Sequence, residues 1–580
     1  MKFTELRKNL KKDYSTFRTV KMAIVADWSV PMLAQAIRGY GYEFGLDIHI
    51  YEAAYDQMEV ELLDETSELY RFQPNYILIF PCIEKFQEKF YNTSEGERAE
   101  VVEHQIFRIR QLCKQANKHA DSNVLICNYC EIDDGIYGNF AGSYKKSLLY
   151  STRKMNIELG DIAAEENCYL VDICTLQNLL GRANMVDNRL YYISKTVFSM
   201  DTLVLIAKQI CDVISVLLGK IKKCLITDLD NTLWGGIIGD DGLEGIQIGE
   251  LGIGKVFSDL QLWIKELSRR GIAIAICSKN NQDTAMQPFL QHPDMILRPE
   301  DISVFVANWK DKATNIKKIR DILNIGLDSI VFIDDNPFER ELVQTLLPEV
   351  AVPDLPKEPT EYAAYLKSLN LFETVQLSDV DRERTKQYRE EAKRVVMRDT
   401  MTSLEAYLRD LEMVAEVKSF DPFSIPRIAQ LTQRSNQFNL RTKRYSENEL
   451  QVMLKHSEQF LTMAVTVQDR FGDYGIIGVV ILEKISEDTL FIDTLLMSCR
   501  VLKRTVEEFL FNEMVRLAQG KGFLKLEGEY IPTNKNAMVS GLFKQYGFTE
   551  IENEQKSSVS TRWTLCVSEY ISKKTFCEKG

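Results

Sequence analysis

The stretch Lys223-Cys224-Leu225-Ile226-Thr227-Asp228-Leu229-Asp230-Asn231-Thr232-Leu233-Trp234-Gly235-Gly236 constrains this chain more than any other. An apolar run stops at two carboxylates one residue apart, then gives way to a hydroxyl and paired glycines. A short apolar run bounded by turn residues reads as a buried strand. Asp228 then sits at its C-terminal tip and Asp230 in the loop beyond, where open α/β sheets bind ligands. Two acids so placed repel each other unless a positive charge lies between them. Mg2+ suits that place, because it takes one or two carboxylates and completes its octahedron with water and phosphate oxygens. One carboxylate can attack phosphorus as a covalent nucleophile. The other can protonate the leaving oxygen and later activate water.

Taken alone, D-x-D-x-T is more often a turn after a strand, and three downstream features reverse that reading. The apolar run Ile272–Cys277 ends in Ser278-Lys279-Asn280. Lys312 opens an amphipathic helix with Ala313, Ile316, Ile319 and Leu323 on one stripe. The run Ile330–Ile333 ends in Asp334-Asp335-Asn336. A hydroxyl, a lysine and more carboxylates, all at element ends, make one phosphate-and-metal site. Asp228 is expected as nucleophile and Asp230 as acid/base. Thr232, Ser278 and Lys312 are the expected phosphate ligands. Asp228, Asp230 and Asp334 or Asp335 are the metal carboxylates.

The set DLDNT, CSKN, Lys312 and FIDDNPFER resembles the four motifs of the haloacid-dehalogenase (HAD) phosphotransferase superfamily. The longer string DLDNTLWGGIIGDDG resembles the FkbH-like branch, subfamily IIIC. So do RSNQFNLRTKRYS (434–446), SCRV (498–501) and GEYIPTNKN (528–536). The likeness thus spans most of the chain.

At 580 residues the chain is too long for one core. An apolar share of 45% and a charged share of 27% are those of a soluble globular protein. A net charge of −13 argues against a nucleic-acid partner, and suits an enzyme that draws in an anion through a local metal and lysines. The basic N-terminus is followed by no apolar run, and segment 202–219 is broken by Lys208 and Asp212. The expectation is therefore no secretory signal, no membrane span and a cytoplasmic protein. Twelve dispersed cysteines are no disulfide framework. Cys127-x-x-Cys130 has no second pair or nearby histidines to complete a zinc site, and reads as two structural thiols.

Alternating strands and helices over the first two hundred residues mean βαβ units on a parallel sheet. This part resembles the SGNH-hydrolase fold, with Ser29 near that fold's nucleophile. None of the five histidines falls in 185–200, where the base would be expected, and Tyr191 to Lys195 stands there instead. The domain reads as a non-catalytic relative. Leu233 to Gly254 is glycine-rich and reads as a flap hairpin, leaving no room for a cap domain. From about 413 the chain turns strand-rich and resembles the acetyltransferase (GNAT) fold. The expected architecture is a three-domain α/β chain: an SGNH-hydrolase-like α/β domain (1–219), a Rossmann-like HAD domain (220–356), and a helical connector with a GNAT-like α+β domain (357–580). In the related fold a glycine-rich loop binds pyrophosphate at a helix N-terminus. Here Arg500 to Thr505 has no glycine, which puts coenzyme A binding in question, with Lys503 and Arg504 as alternative phosphate ligands.

The FkbH-like resemblance implies dephosphorylation of a phosphorylated glycerate and transfer of the acyl group, through a cysteine thioester, to an acyl carrier protein. Cys499, at a strand end beside Arg500, is the preferred thiol, since a nearby cation favours the thiolate. Cys277 is the alternative, although alternation turns it from the face that Ser278 uses. Asn436, Gln437, Asn439 and Arg500 form either a wall of the acyl site or a helix end with satisfied amides. Three functions follow: a phosphatase/acyltransferase serving polyketide or surface-glycan assembly, a plain phosphatase of a sugar or acid phosphate, and a non-enzymatic scaffold.

Overall fold

The computed structural model describes residues 1–119, 122–377, 384–401, 403–551 and 560–580. The chain forms two compact units, Met1–Leu217 and Leu218–Gly580.

The first unit is a parallel sheet of β1 (Arg18–Ala26), β2 (Leu46–Glu52), β3 (Tyr76–Phe80), β4 (Asn123–Cys127) and β5 (Tyr169–Val171), in the order β2-β1-β3-β4-β5. All five residues of β3 are buried, as a strand covered on both faces requires. The crossovers are helices, among them Pro31–Glu43, with proline in its first turn, and Leu148–Glu165, capped by the Ser147 hydroxyl. The Ser29 amide donates to the Lys195 carbonyl at 3.0 Å. The 191–195 segment therefore brings a backbone group to Ser29. Asp27, just past β1, is buried and accepts from the Cys82 amide at 2.7 Å. Burial pushes its carboxyl up to about 7. Cys127 and Cys130 are buried and unbridged.

The second unit opens with a four-stranded parallel sheet: β6 (Cys224–Thr227), β7 (Ala273–Ser278), β8 (Val304–Ala307) and β9 (Ile330–Ile333), ordered β8-β7-β6-β9. The edge strand β8 was not among the expected strands. Within the flap, Gly235 and Gln247 exchange two backbone hydrogen bonds of 3.0 and 2.8 Å. Between them lies the short helix Ile238–Gly245 rather than a plain hairpin.

The C-terminal sheet comprises β10 (Val414–Lys418), β11 (Phe460–Asp469), β12 (Gly472–Lys484), β13 (Thr489–Met497), β14 (Lys525–Tyr530), β15 (Thr549–Ile551), β16 (Thr561–Cys566) and β17 (Glu578–Lys579). Its order is β15-β16-β14-β13-β12-β11-β10-β17. Two helices, Ile425–Arg434 and Glu447–Lys455, flank the amide-rich stretch 434–440. The parallel pairing of β13 with β14 runs only from Thr489↔Lys525 to Ile492↔Gly528. Beyond that point the chain fills the notch with its own segment. The Leu440 amide donates to Leu495 O (3.3 Å), Met497 N donates to Phe438 O (3.0 Å) and Ile531 N donates to Leu440 O (3.0 Å). Among the described residues, no helix is long and apolar enough to cross a membrane.

Candidate active site

The C-terminal tips of β6, β7 and β9 converge because parallel neighbours end at one edge. The Asp228 amide donates to Ile333 O at 3.0 Å, which sets Asp228 beside Asp334. Carboxylate oxygens of Asp228, Asp334 and Asp335 all lie within 4.8 Å of one another. Lys312 Nζ reaches Asp228 Oδ1 at 2.6 Å and Asp334 Oδ2 at 3.2 Å, and donates to Cys277 O at 2.7 Å. Burial opposes its charge, but Asp228 and Asp334 outweigh that and hold its pKa above the ordinary lysine value. Burial, followed by the Asp228 charge, pushes the Asp334 and Asp335 carboxyls up. Three carboxylates against one ammonium leave negative charge unbalanced. An all-oxygen donor set of this kind fits a hard divalent cation such as Mg2+.

Asp230 was expected among the metal carboxylates, and its side chain is directed elsewhere. Its Oδ1 accepts from Trp234 Nε1 and the Ile238 amide, both at 3.0 Å, and Oδ2 from Asn280 Nδ2 at 2.8 Å. Asp230 still lines the same cavity of about 590 Å3 as Asp228, where an acid/base is needed. The tight turn behind it rests on Asn231 at φ 54°, a conformation asparagine tolerates better than most residues. Its Oδ1 accepts from the Gly236 amide at 2.9 Å.

Ser278 lines the cavity and accepts from Asn280 Nδ2 at 3.1 Å. Thr232, expected to bind phosphate, is fully buried, and its hydroxyl accepts from the Asp335 amide at 3.1 Å. It orients Asp335 instead of facing the cavity. Two residues of the site were missed in the sequence. Asn280 holds both Asp230 and Ser278. Glu339, in the first turn of the helix Pro337–Leu346, is buried on the cavity wall and paired with Lys279. The string Asn336-Pro337-Phe338-Glu339 was the available signal, since it opens a helix on an asparagine cap and a proline and puts an acid in its first turn, beside the strand tip.

The acyl-site candidates are spread apart. Cys277 is wholly buried on the far side of β7 from Ser278, and burial pushes its thiol up to about 12. Burial away from the cavity counts against Cys277 as the acyl thiol. Asn439 is also corrected: it is buried in the strand notch, donating to Ser435 O at 3.2 Å and accepting from Thr442 N at 2.8 Å. Asn436, Gln437 and Arg500 do line one pocket, together with Ser498. The backbone of Cys499 lies in the short turn Cys499–Val501, while its side chain lies outside the described residues.

The loop before the helix Val506–Gly520 adopts left-handed conformations without glycine, with φ 62° at both Lys503 and Thr505. Its Lys503 amide is turned to the protein's own Glu507 Oε1, to which it donates at 2.7 Å, and the Thr505 hydroxyl accepts from the Phe576 amide at 2.9 Å. Arg504 is buried against Glu391 and Tyr474 rather than offered to a ligand. Lys503 remains exposed.

The family model for the FkbH N-terminal domain matches residues 21–215. The N-terminal part of BF1531 from Bacteroides fragilis, a crystal structure containing a phosphatase domain complexed with Mg, is 42% identical. That match covers 65% of this chain and 100% of the relative, at a TM-score of 0.63. The ribosomal-protein-S18-alanine N-acetyltransferase from Escherichia coli is 14% identical over 27% of this chain and 94% of its own, at a TM-score of 0.21. The search of curated proteins returned no match.

Proposed function

Because this chain belongs to the FkbH-like family of the haloacid-dehalogenase superfamily, we propose that it is a magnesium-dependent phosphatase and acyltransferase. In this reading it removes phosphate from a small, glyceryl-type phosphorylated acid and loads the acyl group onto an acyl carrier protein. The observation that carries the phosphatase half is the cluster of Asp228, Asp334 and Asp335 oxygens within 4.8 Å, with Lys312 in contact. The magnesium in the Bacteroides fragilis relative supports the same ion here.

Bound by Asp228, Asp334 and Asp335, magnesium would supply positive charge that draws in the phosphoryl group and offsets charge developing on its oxygens. Asp228 attacks phosphorus through a carboxylate oxygen. Lys312, in contact with that carboxylate, meets the transferred oxygens together with Ser278. Asp230, oriented by Trp234, Ile238 and Asn280, gives a proton to the leaving oxygen and then takes one from water. Thr232 fixes Asp335 for its role. Cys499 is the thiol assigned to the acyl intermediate, and Cys277 is set aside because of its burial.

A plain phosphatase is the second reading. The self-filled notch between β13 and β14, and a Lys503 amide already engaged by Glu507, favour it over a coenzyme A-dependent transferase. Incubation with a bisphosphorylated glycerate and candidate carrier proteins, followed by mass spectrometry, separates the two. Acyl mass on Cys499 or on a carrier supports the first reading, and phosphate release alone supports the second. Substantial phosphate release by Asp228→Asn would remove the assignment of the nucleophile.

A further inference from the structure

We infer that Trp309 is the specificity wall of the phosphate site. It covers the leaving group of a phosphate monoester that continues past its third carbon as a ring or chain with an apolar face. This rests on the phosphatase half of the reading above and adds what the substrate carries beyond the phosphoryl group. Among the residues lining the cavity of about 590 Å3, the apolar side chains are Ile237 and Trp309, and the rest are polar, charged or glycine. Trp309 is 78% exposed, whereas Trp28, Trp234 and Trp563 are buried and Trp263 packs edge-on against Phe372.

A single exposed apolar residue needs no explanation in itself. What sets Trp309 apart is the loop that holds it. The Asn308 amide donates to Ser278 O at 3.1 Å, which ties the start of the loop to the tip of β7. The side chains of Asn308 and Asn315 exchange hydrogen bonds of 3.2 and 3.0 Å, and Lys310 N donates to Asn308 Oδ1 at 2.9 Å. Asn315 is itself buried, and Asp311 Oδ1 accepts from Thr314 N at 2.8 Å, capping the helix Lys312–Leu323. The backbone on both sides of Trp309 is therefore fastened to the elements that carry Ser278 and Lys312. A loop so fastened holds the indole in water beside the cavity, where its burial is left for a ligand to supply.

The size and lining of the cavity say what that ligand carries. Its volume falls in the range, roughly 300–1,000 Å3, that encloses ligands of drug size. A phosphoryl group on Lys312 and Ser278 with three carbons behind it leaves much of that space to water. Asn281, Thr284 and Asp240 line the same cavity. A bare alkyl chain would give those groups nothing to bond, so the leaving group that fits alternates apolar faces with hydrogen-bonding groups. Two sources share that chemistry: a sugar ring with its C–H face on the indole, and a glyceryl acid already joined to an amide-bearing arm. The first rests on the plain phosphatase reading and the second on the transferase reading.

The test is steady-state hydrolysis, by the full chain with Mg2+, of 3-phosphoglycerate, of glucose 6-phosphate, and of 3-phosphoglycerate joined to pantetheine as a thioester. The wild type should take at least one of the two extended substrates with kcat/KM about tenfold or more above that for 3-phosphoglycerate. In Trp309→Ala that preference should vanish, through a rise in KM of about tenfold for the extended substrate rather than a fall in its kcat, as loss of an aromatic contact implies. Trp309→Phe should restore most of it. The side chain is exposed, so neither variant is expected to disturb folding. A preference for glucose 6-phosphate supports the sugar ring, one for the thioester supports the arm, and both support the shared chemistry. A wild type that prefers 3-phosphoglycerate, or a Trp309→Ala variant that loses equally on all three substrates or on none, overturns the assignment. Calorimetric titration of Asp228→Asn with the same compounds, with and without Trp309→Ala, keeps the two readings apart. If the wild type hydrolyses none of them while Asp228→Asn binds an extended one in a manner that needs Trp309, the phosphatase reading falls and the wall stands. Neither hydrolysis nor binding overturns both.

Discussion

Lys312 Nζ lies 2.6 Å from Asp228 Oδ1 while its stem is sealed in the core, the whole residue being 1% exposed. The charges that offset burial of that ammonium are Asp228 and Asp334, the carboxylates it touches. Its partners are equally dependent on it. Lys312→Met should lower phosphate release by about 10²-fold or more, because a donor to developing charge is lost. It should also cost about 3 kcal/mol in urea unfolding, because buried carboxylates lose their partner. Unchanged phosphate release together with unchanged stability would contradict this account of the pair.

Chelation should abolish phosphate release, and Mg2+ should restore it. Ca2+ should restore little, because it prefers six to eight oxygen ligands at longer distances than a compact trio offers. Mg2+ at about 100 times its dissociation constant should stabilise the fold by about 2.7 kcal/mol through mass action. Melting curves with and without EDTA provide the check, and Asp334→Asn should lose the shift.

Asp27 gives the first unit a pH dependence. Its folded pKa of about 7 exceeds the ordinary value of 3.8, so between those values the folded state binds more protons than the unfolded state. Stability therefore falls as pH rises from about 4 to about 7, by at most about 4 kcal/mol. Hydrogen exchange of β1 amides at pH 5 and pH 8, corrected for intrinsic rates, should show less protection at the higher pH. Asp27→Asn should flatten the difference. Equal dependence in the two proteins would show that burial does not raise this carboxyl.

Coenzyme A should not bind at the 500–505 loop. Glu507 already takes the Lys503 amide hydrogen there, and Arg504 is buried against Glu391 and Tyr474. Acetyl-coenzyme A should give no saturable titration heat, corresponding to an affinity weaker than about 1 mM. Tight, saturable binding would mean that the loop opens.

The strand tips were legible in the sequence because local rules place them there. An apolar run ending in Asp228, Ser278 or Asp334 puts that residue at the sheet edge whatever the rest of the chain does. What a side chain does at that edge was less legible. Asp230 and Thr232 share a loop with Asp228, yet Asn280 and Asp335 determine where they point, and both partners come from other strands. Strand β8 is four residues long and gives too little alternation to register. The role of Phe438 to Leu440 was not legible at all. It depends on backbone groups at 495, 497 and 531, and no local pattern announces that a strand pair will part and admit a third segment.

Strand β6 also acts as an insulator. The cluster of Asp228, Asp334 and Asp335 stands at its exit, and the pocket lined by Lys223, Ser498 and Arg500 stands at its entrance. A thioester is itself prone to hydrolysis, and an acyl group held at the entrance would be out of reach of the base that hydrolyses phosphate. The same separation dictates the traffic of substrate. On the proposed transferase reading, the dephosphorylated acid would have to travel from one end to the other, on a tether long enough to go round the sheet.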